Sequence, residues 1–192
     1  MGYSGGTKKH PTYHNLGDHT ETFQVDFDPA KISYEQLLEI FWAGHRPDER
    51  PWSRQYMKAV FYHHEEQKRL AEASRDKVAA KIRGQVSTPI LPATEFYLAE
   101  DYHQKYALRR GAPDLLREYE AIYPKLEDFV NSTAVTRVNG YLGGFGTPAL
   151  FNAEVDRLGL SPTGRDKLLA LTRVHWDRAK TKPAVPSGAC PL

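Results

Sequence analysis

Two groups of residues in this chain are placed to carry chemistry. In the first, Tyr3, Pro11-Thr12-Tyr13 and Asp18-His19-Thr20-Glu21 gather aromatic and carboxyl side chains near the start. Glu21 stands where a loop turns into an alternating apolar segment, which suits a general acid. Desolvation there raises a carboxyl pKa towards neutrality, as a proton donor at pH 7 requires. The competing and commoner arrangement is a strand-start Glu pointing into water. In the second group, Arg54-Gln55-Tyr56 brings a phenol to the end of a strand; such a Tyr, taken alone, is more often a core or rim aromatic. The many His residues before position 110 form no zinc helix: His10 and His14 are four apart, but Pro11 lies between them and no Cys ligands are near. No metal is expected. Gly140 to Gly146 lacks the order of a nucleotide-binding loop, so no bound cofactor is expected either.

The elements that must position these groups follow from the pattern. Residues 1–20 read as loop, punctuated by Gly2, Gly5, Gly6, Pro11, Asn15 and Gly17. Alternation over Glu21–Asp28 predicts a half-buried strand with Phe23, Val25 and Phe27 on one face. Ser33 and Gln36 form a capping box, and Leu37, Leu38, Phe41 and Trp42 make the apolar stripe of a helix over 33–43. A long polar loop spans 44–55, a second strand follows at 57–62, and a charged surface helix runs from His64 to Ile82. Residues 88–96, with Pro89 and Pro92, suit an edge strand, and 99–106 a short helix. Beyond Gly111 the reading is mostly helical: 113–131 interrupted at Pro124, a short strand at 135–145, a helix at 148–158, and another opened by Ser161 and Pro162. The last ten residues read as a flexible tail.

The chain has 192 residues, 40% of them hydrophobic, with 26 Lys+Arg against 24 Asp+Glu. That is enough apolar mass for a core, and too balanced a charge for electrostatic capture of nucleic acid. No apolar run approaches the roughly 20 residues of a membrane helix, and residues 1–6 are unlike a signal segment. Cys190 is the single cysteine, so no internal disulfide forms. The expectation is a protein of a reduced compartment, binding neither nucleic acid nor membrane. Cys190 follows Pro186-Ser187-Gly188-Ala189, with nothing nearby to activate or fix a thiol; it is read as at most a resolving thiol, not the nucleophile.

Taken in order, a set of motifs resembles the A-type methionine sulfoxide reductases, the peptide-methionine (S)-S-oxide reductases. The set comprises Gly2-Tyr3-Ser4-Gly5-Gly6, Pro11-Thr12-Tyr13, His19-Thr20-Glu21, Asp28-Pro29, Ile32-Ser33-Tyr34-Glu35, Leu38-Glu39-Ile40-Phe41-Trp42, Gln55-Tyr56, Phe61-Tyr62-His63 and Glu95 to Tyr106. The resemblance covers residues 2–106 almost continuously. It implies an α/β fold, an α+β two-layer sandwich or roll around a small mixed sheet, here with a helical C-terminal extension. It also implies thiol-dependent repair of Met-sulfoxide peptides and proteins. A Cys thiolate attacks the sulfoxide sulfur, a buried Glu protonates the oxygen with help from two Tyr hydroxyls, and a disulfide forms that thioredoxin or another dithiol reduces. By resemblance, Glu21 is the acid and Tyr13 and Tyr56 are the two phenols.

Three departures qualify that expectation. The family's nucleophile lies in a Gly-Cys-Phe-Trp motif upstream of the Gly-Tyr-x-Gly-Gly turn, whereas Met1 stands directly before Gly2. Pro51 falls where the family usually has an Asp ahead of Gln-Tyr, and Gly140-Tyr141-Leu142-Gly143 replaces a Gly-Tyr-Cys-Gly segment. The sequence therefore reads as a divergent branch. Its expected plan is an N-terminally truncated reductase-like domain at 1–110, a helical extension packed on it at 111–180, and a flexible tail at 181–192. Two readings stand: a reductase whose sequence begins late, or a truncated non-catalytic relative that binds Met-sulfoxide peptides or a protein partner. The expected compartment is the cytoplasm, or the mitochondrion if an upstream targeting segment is missing.

Overall fold

The computed structural model describes residues 1–82 and 84–181; the tail from residue 182, with Cys190, lies outside the described residues. The described chain divides into two compact units, Met1–Glu100 and a second that begins at Asp101. In chain order the first unit holds β1 (Gly2–Ser4), β2 (Thr20–Thr22), α1 (Tyr34–Ala43), β3 (Val60–Tyr62), α2 (Glu65–Lys81), β4 (Ile90–Pro92) and β5 (Tyr97–Leu98). The second holds α3 (Tyr106–Gly111), α4 (Pro113–Ile122), α5 (Leu126–Asn131), α6 (Thr133–Leu142), α7 (Pro148–Glu154) and α8 (Pro162–Thr181). The mixed α/β class with a helical C-terminal region is the one expected.

In the first unit β1 is the inner strand of a three-stranded antiparallel sheet, flanked by β2 and β5. The sequence reading made Gly2–Ser4 a loop, yet all three residues are buried. Glycine is what permits this: a Cβ at Gly2 would sit 2.3 Å from the Phe96 ring and 2.4 Å from the Tyr97 carbonyl oxygen, far inside contact distance. The strand expected at 21–28 is also corrected. Only Thr20–Thr22 pairs, because its ladder partner β1 is three residues long; beyond it, Phe23 is 71% and Val25 50% exposed. β3 and β4 form a separate parallel pair, joined by the α2 crossover that parallel pairing requires. α1 packs on α2 through Leu38, Trp42 and Ala71, and the Trp42 indole donates to Ser74 Oγ at 2.8 Å. The expected capping box of α1 is formed, Ser33 with Gln36.

The helical unit has its own core, centred on Leu108, Leu115, Tyr119, Val135, Val138 and Leu168. Here the expected strand at 135–145 is a helix. Ser132 caps it by accepting from the Val135 amide at 3.3 Å, and Val135, Val138 and Tyr141 are buried at a spacing of three, the period of a helix face rather than a strand. The expected short helix at 99–106 reduces to a 3-10 turn at Asp101–His103, and Lys105 takes a left-handed φ of 51° before α3 begins. The helix expected over 113–131 is split around Pro124 into α4 and α5. Ser161 Oγ accepts from the Gly164 amide at the start of α8. Among the described residues, no helix is long and apolar enough to cross a membrane.

Candidate active site

The site is built on the turn that links β1 to β2. Gly5 at φ +81° lets the chain leave β1 and wrap around the Asp18 side chain. That carboxylate accepts from the Thr7 amide at 2.8 Å, the Thr7 hydroxyl at 2.9 Å and the Lys8 amide at 3.1 Å. The Thr7 and Lys8 amide bonds lead in lowering its pKa to about 2, since they stabilise the charged form. Beside it His19, almost fully buried, contacts the Lys8 carbonyl through Nε2 at 2.7 Å and accepts the Gly6 amide on Nδ1 at 3.3 Å. The turn is thus pinned at both Asp18 and His19.

Tyr13 emerges from this turn. A short bridge between Thr12 and Asn15 shapes its backbone, and its amide donates to Glu100 Oε1 at 3.0 Å. The other oxygen of Glu100 accepts the buried Tyr3 hydroxyl at 2.6 Å. One carboxylate therefore ties the inner strand to the Tyr13 loop.

Glu21 sits half-buried in β2, opposite Tyr3. The loop carrying Tyr56 is stitched alongside. The Glu21 amide donates to the Gln55 carbonyl at 2.9 Å, Gln55 Nε2 donates to Glu21 Oε1 at 2.7 Å, and the Thr20 hydroxyl donates to the Arg54 carbonyl at 3.0 Å. Arg54 itself reaches back, giving its Nε to the Asp18 carbonyl at 2.5 Å and a terminal nitrogen to the Gly5 carbonyl at 2.8 Å. As a result the Tyr13 and Tyr56 hydroxyls lie 3.5 Å apart. The bond to Tyr13, then desolvation, then the charges of Tyr13 and Glu21 push the Tyr56 hydroxyl above the ordinary phenol pKa. It stays a proton-bearing donor at neutral pH.

Glu21, Tyr13 and Tyr56, three residues scattered over 44 positions, are thus brought together by two loops and one strand edge. A carboxyl group and two O–H donors gathered in this way suit an oxygen atom that gains negative charge. Of the residues that hold them, Asp18, Arg54 and Gln55 stand in the two segments singled out from sequence, and Glu100 in the Glu95–Tyr106 motif, but their supporting roles are not legible there, because their partners are mostly distant along the chain. At the departures, Pro51 is exposed in the loop ahead of Tyr56. Tyr141 is buried in α6, donating its hydroxyl to Glu154 Oε1 at 2.6 Å. Among the described residues, no group of three or more His, Cys, Asp or Glu side chains is placed to hold a metal ion.

Comparison with known proteins agrees over most of the chain. The family model described as peptide methionine sulfoxide reductase matches residues 1–137, and one described as the helical domain of selenoprotein methionine sulfoxide reductase A matches residues 126–164. A peptide methionine sulfoxide reductase of Drosophila melanogaster is 42% identical over 170 residues, covering 86% of this chain and 66% of the relative. Peptide methionine sulfoxide reductase A5 of Oryza sativa subsp. japonica is 38% identical, covering 82% of this chain and 65% of the relative. The archaeal MsrA of Methanosarcina acetivorans is 39% identical over 132 residues, covering 62% and 70%. The chain spans just under two thirds of the length of the fly and rice relatives. With the motif order, the α/β fold and the family match over residues 1–137 in agreement, the chain belongs to the peptide methionine sulfoxide reductase family.

Proposed function

We propose that this chain takes part in the thiol-dependent reduction of methionine-(S)-sulfoxide in peptides and proteins, with Glu21, Tyr13 and Tyr56 forming its acid side. The observation that carries the reading is the convergence of the Tyr13 and Tyr56 hydroxyls, 3.5 Å apart, beside the Glu21 carboxyl that Gln55 holds at 2.7 Å. A thiolate forms a bond to the sulfoxide sulfur, and negative charge builds on the oxygen. A proton passes from Glu21 to the oxygen while the two phenols donate hydrogen bonds to it. Methionine leaves as the sulfide, and the oxygen passes to the thiol as a sulfenic acid. A second thiol then displaces water to form a disulfide, and an external dithiol of the thioredoxin kind returns both thiols to the reduced state. The sulfoxide is reduced by two electrons and two thiols are oxidised. Such a cycle suits a reducing compartment, and we assign it to the cytoplasm.

Cys190 is the single cysteine of the 192 residues, and the family's nucleophile belongs to a Gly-Cys-Phe-Trp segment. The test therefore uses two chains, this one and one extended upstream by the family's Gly-Cys-Phe-Trp segment. Each receives dithiothreitol and a peptide carrying either sulfoxide epimer. The expected result is turnover of the S epimer alone that falls by about two to three decades in Glu21→Gln, the range of general acid catalysis. Equal rates for the parent and its Glu21→Gln variant, or inertness of both the short and the extended chain, would refute the reading.

A further inference from the structure

Gln55 meets Glu21 twice. Its main-chain carbonyl accepts the Glu21 amide at 2.9 Å, and its side-chain Nε2 donates to Glu21 Oε1 at 2.7 Å. The first bond belongs to the stitching of the Tyr56 loop onto β2, together with the bond from the Thr20 hydroxyl to the Arg54 carbonyl, and any residue at position 55 could supply that carbonyl. The second depends on the side chain. It reaches a carboxyl group that stands opposite Tyr3 in β2 and whose charge bears on the Tyr56 hydroxyl. Both residues are half-buried. The bond is therefore separable from the fold of the loop, and it acts on one oxygen of the candidate acid only.

The geometry points to Gln55 as the positioning residue that gives the two oxygens of Glu21 different tasks: Oε1 is held by the amide, and Oε2 is the oxygen from which the proton leaves. This rests on the function proposed above and adds to it the atom that serves as donor. An amide N–H donates and cannot accept. An O–H at Oε1 would set hydrogen against hydrogen across 2.7 Å and leave the Nε2 donor without its partner. In the step itself the O–H bond at Oε2 breaks as one forms at the sulfoxide oxygen, and the charge left behind spreads over both carboxylate oxygens. A hydrogen bond to an ionised acceptor is roughly twice as strong as a neutral one, so the Gln55 bond tightens as the proton leaves and favours the transfer over the complex that precedes it. It also removes rotamer freedom from the Glu21 side chain, which keeps Oε2 in one place. Gln55 acts through Glu21, so its effect falls on the rate of the bound complex and not on binding.

Two measurements test this. In the 192-residue chain, solvent exchange of the Gln55 side-chain amide protons is followed by NMR. Exchange is expected to be about fivefold slower in the parent than in Glu21→Ala, the weight of one net hydrogen bond. Equal rates would mean that the amide nitrogen does not face the carboxyl, which overturns the inference and leaves the proposed function standing. The second measurement uses Gln55→Met, which keeps the side-chain length and the main-chain bond to Glu21 but lacks the donor, in the chain that turns over in the test above. Its kcat is expected to fall by about ten- to a hundredfold, the upper end matching a misplacement of about 1 Å, with KM within about twofold of the parent's. A kcat within about twofold of the parent's, or a loss carried by KM, overturns the role of Gln55 alone. If neither chain turns over, the proposed function falls and this inference with it.

Discussion

Arg54 offers the sharpest test of how the site is held. Its side chain bonds the Asp18 carbonyl at 2.5 Å and the Gly5 carbonyl at 2.8 Å, while its own carbonyl accepts from Thr20. Arg54→Ala removes the first two bonds and leaves the third. Buried hydrogen bonds to charged groups contribute about 1.5–3 kcal/mol each. Arg54 is exposed, however, so water replaces the lost partners, and about 0.5 kcal/mol per bond is the appropriate end of the range. The pair then holds the loop by about 1 kcal/mol, or about fivefold in a local opening equilibrium. Two backbone amides report on that equilibrium: Glu21, which donates to the Gln55 carbonyl, and Met57, which donates to the Arg54 carbonyl. Hydrogen exchange of these amides, measured where the rate follows the opening equilibrium, should quicken by about fivefold. The Ala112 amide of the helical unit, bonded to Leu108, should be unchanged. Arg54→Lys should fall between, because an ammonium reaches one carbonyl at a time where the guanidinium fork reaches both. Parental exchange rates at Glu21 and Met57 in Arg54→Ala would show that these bonds do not hold the loop, and a uniform acceleration across both units would assign Arg54 to global stability instead.

Two further outcomes follow from the same geometry. Tyr119→Phe deletes a hydroxyl that donates to the Leu158 carbonyl at 2.7 Å in a fully buried setting; leaving that carbonyl unpaired should cost about 1–3 kcal/mol, read as a lower urea midpoint with an unchanged slope. Asp18 has a folded pKa near 2 against an ordinary 3.8, so the unfolded chain takes up its proton first as pH falls. Its stabilising effect is present above pH 3.8 and is lost on descending towards pH 2. The gap in urea midpoint between parent and Asp18→Asn should therefore close over that interval, and a gap that widens there would contradict the assignment.

Helices whose ends are written in local chemistry were legible: α1 from Ser33 and Gln36, α8 from Ser161 and Pro162. β1 was not, because Gly2-Tyr3-Ser4 has turn composition and becomes an inner strand only through the close approach of Phe96 and Tyr97, more than 90 residues away. α6 was misread because Val135 and Val138 are β-branched and Gly140 and Gly143 follow, so local preference pointed to a strand while a three-residue spacing of core positions decided for a helix. The 23–28 segment shows the converse, a clean alternation with no ladder to join. At the site, Glu21, Tyr13 and Tyr56 were named from residue type and resemblance. Their supports rest on contacts that sequence spacing does not reveal, such as Glu100 with Tyr3 across 97 positions.

That last contact has a bearing on the order in which the protein is made. β1 can meet β2 once Thr22 has been synthesised, but two strands of three residues are at best marginal on their own. The second flank of β1 is Tyr97–Leu98, and the carboxylate that ties Tyr3 to the Tyr13 loop is Glu100. At about 5–20 residues per second, roughly 4–16 s separate the appearance of Thr22 from that of Glu100. During that interval the inner strand, Tyr3 and the Tyr13 loop wait without Tyr97, Leu98 and Glu100, so β1 is among the last parts of its unit to be locked in place although it is made before the other strands.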